Sequence, residues 1–174
     1  CNDCGPELYT LVGRASESDV QGMGTDSERP EGAYGAAALL ETRAVIRSGG
    51  IAAIKGIGGF HLCCDAGSEA AVQRLRQLKA RPMKPFAVMM RDREVVGREC
   101  KLEPEMEPLL TGPQKPIILI PRHTGPADSK SADSRIASSV APDNPNLGVM
   151  LPYTPVHMLL FNYPDDEPIS DVLV

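Results

Sequence analysis

No stretch of this 174-residue chain approaches the roughly 20 consecutive apolar residues that a membrane-crossing helix needs. Nothing at its start reads as a secretory signal, so no membrane role is expected. Net positive charge is lacking too: 18 Lys and Arg stand against 23 Asp and Glu, a formal net charge of −5. That balance argues against a globally basic nucleic-acid binder. A disulfide framework is missing as well. The 5 cysteines are odd in number and include the adjacent pair Cys63 and Cys64, which suits a reducing cytoplasm better than an oxidising compartment. There is no internal repeat, Walker A loop, dinucleotide fingerprint or paired-carboxylate motif, and no Ser/His/Asp arrangement arguable from spacing.

The hydrophobic content of 42% and charged content of 24% are those of an ordinary globular protein. Its length allows one domain, or one domain with an appendage. The most informative stretch, residues 50–66, reads GIAAIKGIGGFHLCCDA. A short apolar run fits a buried strand and ends in Lys55. Gly56, Gly58 and Gly59 come next, letting the backbone turn and come close to a ligand. Lys55 on such a turn is a candidate anion site, because an ammonium and backbone N–H groups can converge there. A tight turn within an α/β core explains the same residues.

Charge is unevenly spread. Between residues 74 and 93, Arg74, Arg76, Lys79, Arg81, Lys84, Arg91 and Arg93 face a single acid, Asp92. A local basic strip on an acidic protein suits an anionic small molecule at least as well as a polynucleotide. Ser68 is a candidate N-cap, and Val72, Leu75 and Leu78 at spacing three predict a helix with a buried stripe and Arg74, Arg76 and Lys79 on its other faces. Pro82 ends the helix, because a residue preceding proline is pushed toward an extended conformation. Lys79, Arg81 and Lys84 then precede an apolar strand at 86–90. They fit either a solvated, dipole-complementing helix end or a phosphate clamp, in which Arg81 offers a planar fork and the lysines offer point charges.

Elsewhere the pattern predicts a short strand at 9–12, a loop at 22–32 and a helix at 34–48 with a glycine stop. Short helices are expected at 92–100 and 103–110, strands at 117–120, 147–151 and 171–174, and a polar loop at 122–139. Thr154 reads as an N-cap with Pro155 at the first helical position, placing His157 in the first turn. Strands alternating with helices argue for an α/β sheet. Cys1 and Cys4, spaced C-x-x-C, could be half of a tetrahedral zinc site. No second pair stands at suitable spacing, so these two are expected to be metal-free in this chain.

Three segments, GIAAIKGIGGFHLCCDA, LRQLKARPMKPFAVMM and APDNPNLGVMLPYTPVHMLLF, occur in that order. Together they closely resemble the YrdC-like domain of the HypF carbamoyltransferases, over roughly residues 35–174. CNDCGP resembles the last ligand pair of the zinc-finger region preceding that domain. The resemblance implies the end of a zinc-finger region at 1–15 (Cys1, Cys4), a linker at 16–34 and a YrdC-like domain at 35–174. The fold it implies is α/β, a twisted open mixed sheet of the Sua5/YrdC/YciO type.

It also implies chemistry: carbamate derived from carbamoyl phosphate joins ATP, with Mg2+, to give carbamoyl adenylate and pyrophosphate. The carbamoyl group then passes to the C-terminal cysteine of HypE, for the cyanide ligands of [NiFe]-hydrogenase. The K-x-R-P signature falls on Lys79, Arg81 and Pro82, with Lys84 beyond. Lys55, Gly58, Gly59 and His61 would line the same nucleotide and carbamate pocket. Met150 stands where relatives carry arginine, so that cation is not expected here. The family's Ser-x-Asn motif would begin after Val174, so the sheet is expected to be incomplete at its C-terminus and this fragment to have weak or no adenylating activity. Alternative implications are a threonylcarbamoyl-adenylate synthase for tRNA modification and a double-stranded RNA-binding module.

Overall fold

A computed structural model describes residues 7–11, 32–123, 134–165 and 167–174. The chain divides into two compact units, residues 1–44 and 45–174. In the first, Tyr9 and Tyr34 form an antiparallel bridge with stacked rings, centroids 6.0 Å apart. The expected strand at 9–12 is thus a single bridge within its described residues. Helix α1 (Ala36–Arg47) begins in this unit and ends before Gly49, whose φ of +78° suits glycine.

The second unit opens on β1 (Ala52–Lys55) and β2 (Phe60–Cys63), paired antiparallel with Lys55 opposite Phe60. The expected buried core strand is instead one arm of a half-exposed hairpin, and only Ile54 of β1 is buried. Helix α2 (Glu69–Leu78) comes after it, capped by the Ser68 side chain, which accepts from the Ala71 N–H. Next come β3 (Ala87–Met90), α3 (Arg93–Glu99), α4 (Glu107–Thr111), β4 (Ile118–Pro121), a 3-10 turn at Ser138–Val140, β5 (Asn146–Met150), α5 (Pro155–Asn162) and β6 (Val172–Leu173). The helix expected from 103 forms only from Glu107, with Pro108 in its first turn, where its missing N–H costs nothing.

The main sheet has the order β4-β5-β3-β6, with β3 and β5 parallel and the other pairs antiparallel. It is an open mixed sheet. Beyond β6 the segment after the hairpin continues the ladder: Val174 N–H donates to the Cys64 carbonyl at 3.0 Å, and Ala66 N–H to the Val172 carbonyl at 3.1 Å. Asp171 holds that edge by accepting from both Arg91 and Arg98, the latter at 3.0 Å. Val72 and Leu75 of α2 pack with Val88 and Met90 of β3 and Leu147 and Val149 of β5 in one apolar core. Cys63, Cys64 and Cys100 are free and buried. Burial is the main cause that pushes their thiols up to about 12, 11 and 12, leaving them protonated and unreactive at neutral pH.

Candidate functional site: a templated cationic loop and a histidine–tyrosine cluster

The cationic loop is built from α2 outward. Residues Ala71, Val72, Leu75 and Arg76 form the buried face of that helix, in keeping with its 3.6-residue repeat. Leu78, expected in the core, is 71% exposed, while Arg76, expected at the surface, is 7% exposed. The helix ends in a Schellman arrangement. Lys79 is the C-cap, Ala80 is left-handed at φ +45°, Ala80 N–H donates to the Gln77 carbonyl and Arg81 N–H to that of Arg76.

The Arg76 side chain shapes the loop beyond the helix. Its Nη1 donates to the carbonyls of Arg81 at 2.8 Å, Pro82 at 3.2 Å and Lys84 at 3.2 Å. Its Nη2 reaches the Val140 carbonyl at 3.1 Å, and its Nε the Ser139 carbonyl at 2.5 Å. One fixed fork therefore reads five acceptors. Burial lowers the Arg76 pKa, the Arg81 charge lowers it further, and Glu69 opposes both. Glu69 itself accepts from the Ser139 hydroxyl and N–H, and the hydroxyl is the main cause that holds its carboxyl below the usual range.

With the loop carbonyls turned toward Arg76, Lys79 and Lys84 stand exposed. Arg81 donates from Nη2 to the Pro85 carbonyl at 3.0 Å. Its guanidinium lies 5.3 Å from the Phe86 ring centroid, and that of Arg76 lies 4.7 Å from the same centroid. The Nε of Arg81 is buried and has no partner. Arg81 thus enters the site partly preorganised, with a donor unspent.

The second group belongs to the hairpin. Lys55 lies over the Phe60 ring at 5.4 Å, and Gly56 N–H donates to the Gly59 carbonyl at 2.7 Å. Gly59 has φ +154°, a conformation that favours glycine, whereas Gly58 faces open space. His61 on β2 meets Tyr153, with Nε2 and the phenol oxygen 2.7 Å apart. His157 completes the cluster at 5.5 Å from the His61 ring and 4.7 Å from the Tyr153 ring. It is held in the first turn of α5, where its N–H donates to the capping Thr154 hydroxyl at 3.4 Å. His157 is 2% exposed, and neither ring nitrogen has a partner. Burial chiefly, and the His61 charge secondarily, lower its pKa to about 4, so it is neutral.

Arg76, Tyr153 and His157 were not among the expected site residues. For Arg76 a signal existed: it stands four residues after Val72, on the stripe that a spacing of three misassigned to Leu78. Tyr153 and His157 meet His61 only through the tertiary fold. Among the described residues, no hydrogen bond, ion pair or ring contact joins the hairpin residues to Lys79, Arg81 or Lys84. The open depression lined by Ile51, Arg74, Gln77 and Leu78 contains none of the expected site residues. Cys1 and Cys4 lie outside the described residues.

The chain belongs to the Sua5/YciO/YrdC family, whose model, described as "Telomere recombination", matches residues 44–170. Within that class it is similar to the carbamoyltransferase HypF of Rhodobacter capsulatus, with 40% identity over 93% of this chain and 18% of that protein. It is also similar to a crystal structure of full-length HypF in a phosphate- and nucleotide-bound form. That match has a TM-score of 0.74 and 37% identity, and covers 100% of this chain and 19% of the other. A P. abyssi Sua5 structure, 19% identical with a TM-score of 0.59 over 71% of this chain and 34% of that one, shares the fold. These likenesses bear out the HypF resemblance and the open mixed sheet that it implied. The chain spans under a fifth of the length of the HypF relative it matches.

Proposed function

We propose that this chain contributes the adenylate-forming site of a carbamoyltransferase. The whole enzyme would bind ATP and carbamate derived from carbamoyl phosphate and yield carbamoyl adenylate and pyrophosphate. In the reaction a carbamate oxygen forms a bond to the α-phosphorus while the bond to the β-phosphate oxygen breaks, and pyrophosphate leaves with that electron pair. The observation that carries this reading is the cationic loop, whose carbonyls are drawn inward by Arg76 while Lys79, Arg81 and Lys84 remain for an anion.

The arginine fork and the lysine charges would neutralise charge gathering on the phosphate oxygens, a stabilisation that needs little rearrangement when the donors are already set. Lys55, Gly58, Gly59 and His61 would line the same pocket. Among the described residues no cluster of three or more His, Cys, Asp or Glu could hold a metal. Mg2+ would arrive on the nucleotide phosphates, its usual mode.

In the assembled enzyme the carbamoyl group would pass to the C-terminal cysteine of HypE, within a reducing cytoplasm that suits the free, buried cysteines. Zinc would belong to the region around Cys1 and Cys4. A threonylcarbamoyl-adenylate reading rests on the shared fold alone, and the acidic net charge weighs against double-stranded RNA. Calorimetric titration of Mg-ATP into this chain and into its Lys79→Ala/Arg81→Ala variant tests the assignment. The double variant is expected to bind at least about tenfold more weakly, each tenfold step being about 1.4 kcal/mol. Equal affinity would remove the loop from the nucleotide site.

A further inference from the structure

The cluster of His61, Tyr153 and His157 has more structure than a ligand-lining histidine needs. His61 sits half-buried on β2, its Nε2 is engaged by the Tyr153 hydroxyl at 2.7 Å, and its ring is crossed edge to face by His157 at 89°. Space around the pair is tight: a Cβ on Gly56 would lie 2.6 Å from His61 Nε2 and 2.8 Å from the Tyr153 oxygen. Glycine at position 56 is thus what lets the pair close against the hairpin.

We propose that Tyr153 is a positioning residue that fixes His61 as the Nδ1–H tautomer, so that His61 serves as a hydrogen-bond donor to an anionic oxygen of the bound ligand. The direction of the Tyr153–His61 bond comes from the groups themselves. A neutral phenol donates well, and the unprotonated nitrogen of an imidazole is a far better acceptor than a phenol oxygen. With Nε2 accepting, the ring proton of neutral His61 resides on Nδ1; the bond made by one nitrogen decides the state of the other.

Among the described residues no hydrogen bond to Nδ1 is present, and that nitrogen is not among the buried orphan atoms, so the donor is available. His157 packs edge to face on the His61 ring and restrains its plane. It is neutral and buried, and adds no charge that would compete for an anion. The role assigned to His61 as a ligand donor rests on the nucleotide reading above; its tautomer does not.

The test is long-range 1H–15N NMR on the chain with labelled histidine, at a pH where imidazoles are neutral. The three histidines, His61, His123 and His157, are assigned with His123→Gln and His157→Gln variants. The expected spectrum has a pyridine-type Nε2 and a pyrrole-type Nδ1 for His61. Tyr153→Phe, which keeps the ring and removes the hydroxyl, is expected to release a mixture of tautomers and to weaken Mg-ATP binding roughly 2- to 10-fold, the span of one neutral hydrogen bond. A protonated Nε2 in the wild type overturns the proposal without any variant. So does an unchanged His61 spectrum in a folded Tyr153→Phe protein. ATP titration separates this inference from the functional reading. The expected tautomer with no response to saturating ATP would uphold the positioning role and count against the nucleotide pocket, whereas a wrong tautomer overturns the positioning role whatever ATP does.

Discussion

Replacing Arg76 with methionine removes the fork that holds the cationic loop in shape, and its cost can be bounded from the contacts. Five carbonyls accept from this one side chain. Hydrogen bonds to a charged group contribute roughly 1.5–3 kcal/mol each, but their sum is not the expected effect. Pro82 and Lys84 are exposed and Ser139 is half-buried, so water can replace the guanidinium at their carbonyls. The buried Val140 carbonyl keeps a bond from Phe86 N–H at 2.9 Å. Removing the cation also relieves its desolvation and its repulsion by Arg81. A net loss of roughly 2–4 kcal/mol remains, in the range of a broken buried charge network with partial resolvation.

Arg76→Lys preserves the charge but not the planar fork, and should fall between methionine and wild type in stability. Its effect on function should nevertheless be large, because a point donor cannot hold both the 81–84 carbonyls and those of Ser139 and Val140. Urea unfolding with a check that the slope is unchanged measures the stability, and Mg-ATP titration of the folded variants measures the loop. The expected result for Arg76→Lys is at least a roughly tenfold loss of affinity, although Arg76 itself would never touch the nucleotide. A methionine variant within about 0.5 kcal/mol of wild type that binds ATP unchanged would refute the idea that Arg76 templates the loop.

Two further outcomes concern the histidine cluster. The pKa of His157 is lowered from 6.5 to about 4 in the folded chain; the unfolded state therefore binds more protons between these values, and stability is full above pH 6.5 and lost as pH falls toward 4. Integrating that difference gives at most about 2 kcal/mol lost between pH 7 and pH 5, so unfolding curves of wild type and His157→Leu should converge or cross as pH falls; a parallel pair would exclude His157 as the cause. At the hairpin, Gly56→Ala should cost roughly 1–3 kcal/mol, the usual range for overpacking, because its Cβ would meet His61 and Tyr153 at less than 3.0 Å. Gly58→Ala, with open space around it, should stay within about 0.5 kcal/mol, and equal thermal shifts for the two would contradict the packing described.

Much of the scaffold was legible because it depends on local rules. Ser68 and Thr154 each cap a helix with a side chain accepting from the backbone three residues on, and the apolar runs at β3, β4 and β5 became the sheet. What escaped was non-local. An apolar run of four reads the same in a core strand and in a hairpin arm, so β1 could not be told from a core strand. A spacing of three along α2 exchanges Leu78 for Arg76. An arginine on a buried face contradicts composition rules unless its acceptors are known, and two of its five, on Ser139 and Val140, lie more than sixty residues away. The convergence of Tyr153 and His157 on His61 likewise spans more than ninety residues, and no spacing rule reaches that far.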